Sequence, residues 1–257
     1  MDPEHKIFEK NMKNIQILVT LLFFSIALNT TAQEKVKSYI GITAGPSFAV
    51  GDFSKSEVGS FNNWNNKAGF AKTGVSVEVE GACYFLPKIG IGGAIYYSNH
   101  GGFSKEDVSK LGDSYTDAFA VNESTVSTSG NYSSINMMVG PYFSFPISKF
   151  TIDFRVMGGL LKSVATPSMI VLLEDQKDTT FKQASSTASS FGWQVGGGFR
   201  YALSDKMGLM LKADYFNSDG ITIDNQNRKN DAGRLVTKQP MSWMNSSVGI
   251  SFSLGSK

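Results

Sequence analysis

The chain ends in an alternation that restricts its fold more than any other feature. In Ser247-Val-Gly-Ile-Ser-Phe-Ser-Leu254 the apolar residues Val248, Ile250, Phe252 and Leu254 take every second place. Ser247, Gly249, Ser251 and Ser253 take the others. Successive side chains of a β-strand point to opposite faces, so this is a strand with one apolar and one polar side. Seven upstream segments repeat the pattern. The alternation predicts strands over 38–50, 72–85, 89–98, 132–145, 150–163, 191–202 and 207–217, with the last over 242–254. Tight turns at Leu86-Pro-Lys-Ile89, Pro146-Ile-Ser-Lys149 and Leu203-Ser-Asp-Lys206 alternate with long polar connections near 51–71, 99–131, 164–190 and 218–241.

The N-terminus reads as an export signal. Ile15 to Leu28 is an apolar run broken only by Gln16, Thr20 and Ser25; Lys10 and Lys13 precede it, and Asn29-Thr-Thr-Ala32 follows. A basic region, a short apolar core and a small-residue junction make a cleavable signal peptide over residues 1–32, leaving 33–257 as the mature domain. The run is shorter than the ~20 residues of a spanning helix. Met12 makes a more natural start than Met1, and no Cys near the junction offers a lipid anchor. Beyond the leader no apolar run is long enough to span as a helix. A membrane protein of this sequence must therefore span as a closed barrel, because lipid leaves no backbone polar group unpaired.

Each predicted strand divides into two faces. In 72–85, Val75, Val77, Val79, Cys83 and Phe85 oppose Ser76, Glu78, Glu80 and Tyr84; in 150–163, Phe150, Ile152, Phe154 and Val156 oppose Thr151, Asp153 and Arg155. Alternation alone does not say which face is inside. A soluble lipocalin-like barrel would enclose its apolar face around a small ligand. Three features favour the inverse. The polar face is rich in Gly, as at Gly92, Gly192, Gly196 and Gly198, which suits a crowded interior. Aromatic residues on the apolar face fall at two levels. Trp193 and Tyr201, eight residues apart, would be roughly 20 Å apart in height, near the ~25 Å apolar band of membrane barrels. An export signal delivers the chain to the envelope. The expected fold is all-β: an eight-stranded antiparallel up-and-down transmembrane β-barrel with short periplasmic turns and long extracellular loops.

The polar faces carry Glu78, Glu80, Asp153, Arg155, Arg200, Lys212 and Asp214. They lie at similar heights above the tight turns, so they form one layer across the lumen, in which Glu80 is placed to approach Arg200. Such a layer could line an ion path or form a structural ion-pair network. An eight-strand interior is only wide enough to be filled by side chains, which favours the network and a lumen without a through pore.

Signals for chemistry are sparse. His100 follows the third strand, and a lipid-modifying hydrolase would need it beside a Ser and an acid; no Ser stands two residues after it, and the other reading is a loop histidine. Gly196-Gly-Gly198 lies inside a strand with no following helix, so it is no phosphate loop. Asp224–Asp231 reads as a solvated loop tip, and no His/Cys spacing fits a transition-metal site. The single Cys83 excludes an intrachain disulfide, and a formal charge of +2 gives no reason to expect a nucleic-acid partner. No cofactor and no enzymatic activity are expected.

Two resemblances add to this. Ser247, Gly249, Phe252 and Leu254 fill the slots of the C-terminal sorting strand of outer-membrane β-barrels, although Gly255-Ser-Lys257 runs past its usual end. Tyr39-Ile-Gly-Ile-Thr-Ala-Gly45, Tyr84-Phe-Leu-Pro-Lys-Ile-Gly-Ile-Gly92 and the Thr-Ala-Gln33 junction resemble the outer-membrane β-barrel domain family of Bacteroidota, which includes PorT-like proteins and is similar to small OmpA/OmpX-type barrels. The resemblance implies location in the cell outer membrane, contact with its lipid, and insertion by the barrel-assembly machinery. For function, loops displayed on a rigid closed barrel lead to the expectation of a structural and interaction protein that presents them to a protein partner. A component of a secretion or assembly complex is the alternative, and a hydrolase using His100 a weaker third.

Overall fold

The computed structural model of the chain describes residues 36–57, 59–60, 63–64, 67–174, 180–227 and 235–255. The expected leader over 1–32, with its start and cleavage points, lies outside them, as does most of the loop tip after Asn227. Eight long strands follow one another: β1 (Ser38–Ala49), β2 (Gly74–Tyr84), β3 (Ile89–Asn99), β4 (Ser133–Ile147), β5 (Phe150–Ala165), β6 (Ser189–Ala202), β7 (Met207–Asn227) and β8 (Leu235–Leu254). Each pairs antiparallel with the next, and β1 closes on β8 with Ser38 opposite Leu254 and Ile40 opposite Phe252. Closure removes the two edges that an open sheet would leave unpaired.

The barrel is apolar outside. Ile42, Val77, Ile95, Val139, Val156, Leu211 and Val248 are each at least half exposed, while Glu80, Arg155 and Lys212 are almost wholly buried. No soluble protein could present such a surface to water; in a bilayer it faces acyl chains. Two aromatic levels bound it. Phe150 and Tyr201 meet at 4.9 Å near the tight turns, and Trp193 and Tyr215 at 5.5 Å near the opposite end. Two inward glycines answer large neighbours: a Cβ on Gly92 would enter the Tyr142 ring, and one on Gly192 the Phe216 ring.

The strands depart from expectation mainly at the extracellular end. β7 runs ten residues past Asn217, and β8 begins at Leu235 instead of Ser242. Asn217-Ser-Asp-Gly220 has turn chemistry, but here it is a bulge: pairing shifts between Ser218 and Ile221 and resumes with Ile221 opposite Gln239. Gly220 has φ +105°, a left-handed value that favours glycine. The long connections are also not plain loops. Residues 99–131 hold helix α1 (Lys105–Phe119) and a strand, Ser124–Ser129; residues 164–190 hold strands Ser168–Leu173 and Thr180–Gln183.

Phe252 stands on the lipid face opposite Ile40 and Met207. Phe252→Asp places a charge there and removes the sorting-strand aromatic, and charge on that face is disfavoured. The folded, heat-modifiable band in outer-membrane fractions is expected to fall sharply; a normal level would refute the role of this position in closure.

Candidate functional site

The charged layer of the lumen draws on alternate residues of six strands. β2 contributes Glu78, Glu80 and Tyr84, β5 contributes Asp153 and Arg155, and β7 contributes Lys212 and Asp214; Tyr39 comes from β1, Ser144 from β4 and Arg200 from β6. Arg155 grips Asp214 through Nε at 2.8 Å and Nη2 at 2.5 Å, and its Nη1 lies 3.7 Å from Glu80. Lys212 donates to Glu78 at 2.6 Å and also to Glu80. Lower down, Arg200 donates to Asp153 through Nε at 2.6 Å and Nη2 at 2.9 Å. Ser144 also donates to Asp153, and the Tyr84 hydroxyl meets Ser144 at 2.6 Å.

Tyr39 joins the two groups. Its hydroxyl donates to Glu80 at 2.8 Å, while the Arg200 guanidinium lies 3.9 Å from its ring centre. All seven charges expected from the sequence therefore lie in one connected layer. The expected approach of Glu80 to Arg200 does not occur. Arg200 stands two residues from the end of β6, nearer the turns than Glu80, and Asp153 on the neighbouring β5 is closer. Glu80 is taken by Lys212, Arg155 and Tyr39. The sorting-strand residues lie in β8: Gly249 sits so close to β1 that a Cβ would strike the Ile42 carbonyl, and Ser247 and Ser251 turn inward.

Above the charges, aromatic rings close the mouth. The turn Gly51–Phe53 lowers Phe53 into it, 4.9 Å from Tyr132, 5.2 Å from His100 and 6.2 Å from Trp243. Phe216 stacks on Trp243 at 4.2 Å. A strap holds the turn in place: Gly69 N–H donates to the Asp52 carbonyl and Ala71 N–H to that of Phe53. His100 is thus no exposed loop histidine. It is 1% exposed, its ring meets Phe53 and Trp243, and its Nε2 lies 2.7 Å from Ser47 Oγ.

The long connections build a cap over this mouth. Above Ser218 the edge of β7 that pairs with β6 becomes free for Thr180–Gln183, with Phe181 opposite Asn227. Ser168–Leu173 and then Ser124–Ser129 extend that sheet. α1 lies against it. Leu111 and Phe70 form one small core with Phe103, Val126 and Met169 around them; Val121, Val171 and Leu173 form another with Tyr115 and Phe181. A capping box starts α1: Asp107 N–H donates to Ser104 Oγ, and Ser104 N–H donates back to the Asp107 carboxylate at 2.8 Å. Lys72, on the rim, pairs with Asp107 at 2.6 Å. The signals for α1 were present in the sequence: Ser104-Lys-Glu-Asp107 followed by Val108, Leu111 and Tyr115 at helical spacing.

Two predictions follow from these contacts. Four carboxylates face three cations, so one negative charge is in excess. Glu80→Gln leaves Arg155 with Asp214 and Lys212 with Glu78, and is the milder change. Arg155→Met leaves Asp214 without its cation in a buried site, a loss of roughly 3–5 kcal/mol. The urea midpoint of the refolded barrel should fall much further for Arg155→Met, and neither variant should pass porin-sized current in planar bilayers. Equal midpoints would contradict the pairing. In the cap, burial opposes ionisation of Asp107, but Lys72 and the Ser104 hydroxyl and N–H outweigh it and hold the carboxyl below its ordinary range. A depressed carboxylate stabilises above its unfolded pKa, so its contribution is full above about pH 4 and is lost as pH falls through the lowered value. Amide exchange in α1 should therefore quicken, relative to neighbouring cap strands, on acidification below that point. In Asp107→Asn it should be fast already at neutral pH.

The sequence model of the outer membrane protein beta-barrel domain matches residues 17–235. Among curated proteins no match is found. Solved structures of outer-membrane proteins match at low identity. Ail of Yersinia pestis is 11% identical, with 86% of this chain and 100% of that one covered and a TM-score of 0.42. Neisserial surface protein A is 14% identical, with 84% and 97% covered and a TM-score of 0.44. OprG of Pseudomonas aeruginosa is 11% identical, with 87% and 98% covered and a TM-score of 0.38. With a family match over most of its length and a closed, outwardly apolar barrel, the chain belongs to the outer membrane protein β-barrel domain family and resides in the cell outer membrane.

Proposed function

We propose that the protein is a sealed anchor that holds a folded extracellular cap in position for a protein partner. The observation that carries this is the cap itself. A barrel needs only short loops to close its strands, yet here the connections build a helix, three strands that extend the barrel sheet and two small cores of their own. Rigidly placed connections of this kind are where binding concentrates on a scaffold. The lumen beneath supports an anchor rather than a channel, since a charged layer and an aromatic plug fill an interior that is narrow to begin with.

One face of the cap sheet is turned away from α1 and carries Ile170 and Leu172, both substantially exposed, between Thr125, Ser127 and Thr180. That face is the proposed contact surface. The PorT-like resemblance of Tyr39–Gly45 and Tyr84–Gly92 is consistent with a partner from a secretion or assembly complex, which makes that complex the first place to look. A lipid-modifying hydrolase is not favoured. The one candidate histidine faces the plugged lumen, and its ring meets Ser47, Phe53 and Trp243, none of them acidic.

The test is a photo-crosslinking amino acid placed at Ser127 in intact cells. A discrete heavier species should form there, and should be lost when Leu172→Asp is added. The same probe at Lys206, in a periplasmic turn, should not give that species. Absence of any Ser127 adduct, or an adduct indifferent to Leu172→Asp, would remove the cap face as the binding surface.

A further inference from the structure

The lipid face of the barrel has a notch. On β2 and β3 the outward residues Gly81 and Gly93 stand opposite each other. Ile40, Val79, Ile95 and Met137 rise around them, and the groove so formed has a volume of about 430 Å³. Gly93 is not demanded by contacts inside the barrel: a Cβ there would come no closer than 3.2 Å, to the Met138 carbonyl, which a few tenths of an ångström relieve. Glycine within a strand weakens it, and one common reason to keep it is the close approach of something from outside.

The height of the notch says what approaches. Gly81 is three residues above the end of β2 and Gly93 four above the start of β3. At ~3.3 Å per residue and ~40° of tilt both lie roughly 8–10 Å above the periplasmic turn, inside the inner-leaflet half of the apolar band. The turn directly below, between the same two strands, carries Lys88, whose Nζ lies 5.5 Å from the centre of the Phe145 ring. A lysine at that level reaches the headgroup plane on an apolar stem. Lys37, Lys149 and Lys206 are exposed at the same end, together with Asp205 in the β6–β7 turn, so the described residues of this rim carry more cations than carboxylates.

We propose that this groove is a binding site for one inner-leaflet glycerophospholipid, with an acyl chain over Gly81 and Gly93 and its phosphate at Lys88. This goes beyond the cap reading and does not depend on it. The groove is mostly apolar where acyl chains are, and Lys88 is cationic where phosphates are, a combination that fits neither a soluble ligand nor a bare hydrocarbon.

The experiment titrates the detergent-extracted barrel with palmitoyl-oleoyl phosphatidylglycerol and reads bound lipid by native mass spectrometry. The unmodified protein should retain one lipid and prefer it to dioleoylglycerol, which lacks the phosphate. Gly93→Leu fills the notch and should lower occupancy about tenfold at fixed lipid. Ile95→Trp, which closes the notch from its wall, serves if Gly93→Leu does not fold. Lys88→Gln should remove the preference over dioleoylglycerol. Gly197→Leu, elsewhere on the lipid face with its Cβ 3.4 Å from the Asp153 carbonyl, should change nothing. Heat-modifiable migration confirms folding of each variant. Unchanged occupancy in the notch variants would overturn the proposal. So would a dimer of the unmodified barrel that Gly93→Leu dissolves without altering lipid, since the occupant would then be a second copy.

Discussion

In hydrocarbon a backbone N–H or C=O has no water to fall back on, so every one within the membrane must find a backbone partner. That single requirement forces β1 to close against β8, where Ser38 meets Leu254 and the sheet loses its last edges. It also forces the period of two in the sequence. Once each strand is hydrogen-bonded on both sides, its side chains have only the lipid and the lumen to face. The apolar set goes to lipid and everything polar goes inward, whatever that does to the interior.

The interior must then absorb charges that a soluble core would not hold. Isolated buried ions are strongly unfavourable, and pairing with well-placed hydrogen bonds is what makes them tolerable. Here Arg155 is shared between Asp214 and Glu80, Lys212 between Glu78 and Glu80, and Asp153 takes Arg200 together with Ser144. Glycines make room: a Cβ on Gly196 would collide with the Asp214 carboxylate that holds Arg155. A lumen closed this way is rigid, and the rigidity serves the cap. A fixed barrel rim gives Lys72 a constant place from which to hold Asp107 and the start of α1.

The alternation in the sequence was enough to recover the eight strands, their faces and the seven lumen charges, because each depends on local period alone. Which charge meets which was not readable. Partners across a barrel depend on the stagger between strands, and alternation carries no stagger; hence the misplaced approach of Glu80 to Arg200. Tyr39 escaped notice for the same reason, since a tyrosine at the start of a strand gives no hint that it will bridge two ion groups. Phe53 lies in a connection, where no period exists to show that it plugs the mouth. The bulge at Ser218–Ile221 hid the upper halves of β7 and β8, because Asn217-Ser-Asp-Gly220 has the composition of a turn. α1 was legible in principle through its capping box and apolar spacing, but its polar surroundings read as loop.

The two ends of the barrel obey different rules, and that difference explains where the chain spends its length. At the periplasmic end β2–β3, β4–β5 and β6–β7 turn within a few residues, the least that antiparallel pairing needs. At the extracellular end the strands leave the hydrocarbon, and water again satisfies an unpaired backbone group. The closure that lipid enforced can then lapse. β7 parts from β6 above Ser218 and takes Thr180–Gln183 as its new neighbour, and the sheet fans out through Ser168–Leu173 to Ser124–Ser129. Among the described residues this last strand pairs on one side only. An edge of that kind is impossible inside the membrane and permissible above it, where it is short and rich in Ser and Thr, features that blunt indiscriminate pairing. The same change of solvent that frees the edge also makes the cap the part of the molecule able to meet a water-borne surface, so the physics of the barrel's closure also sets where the proposed contact face lies.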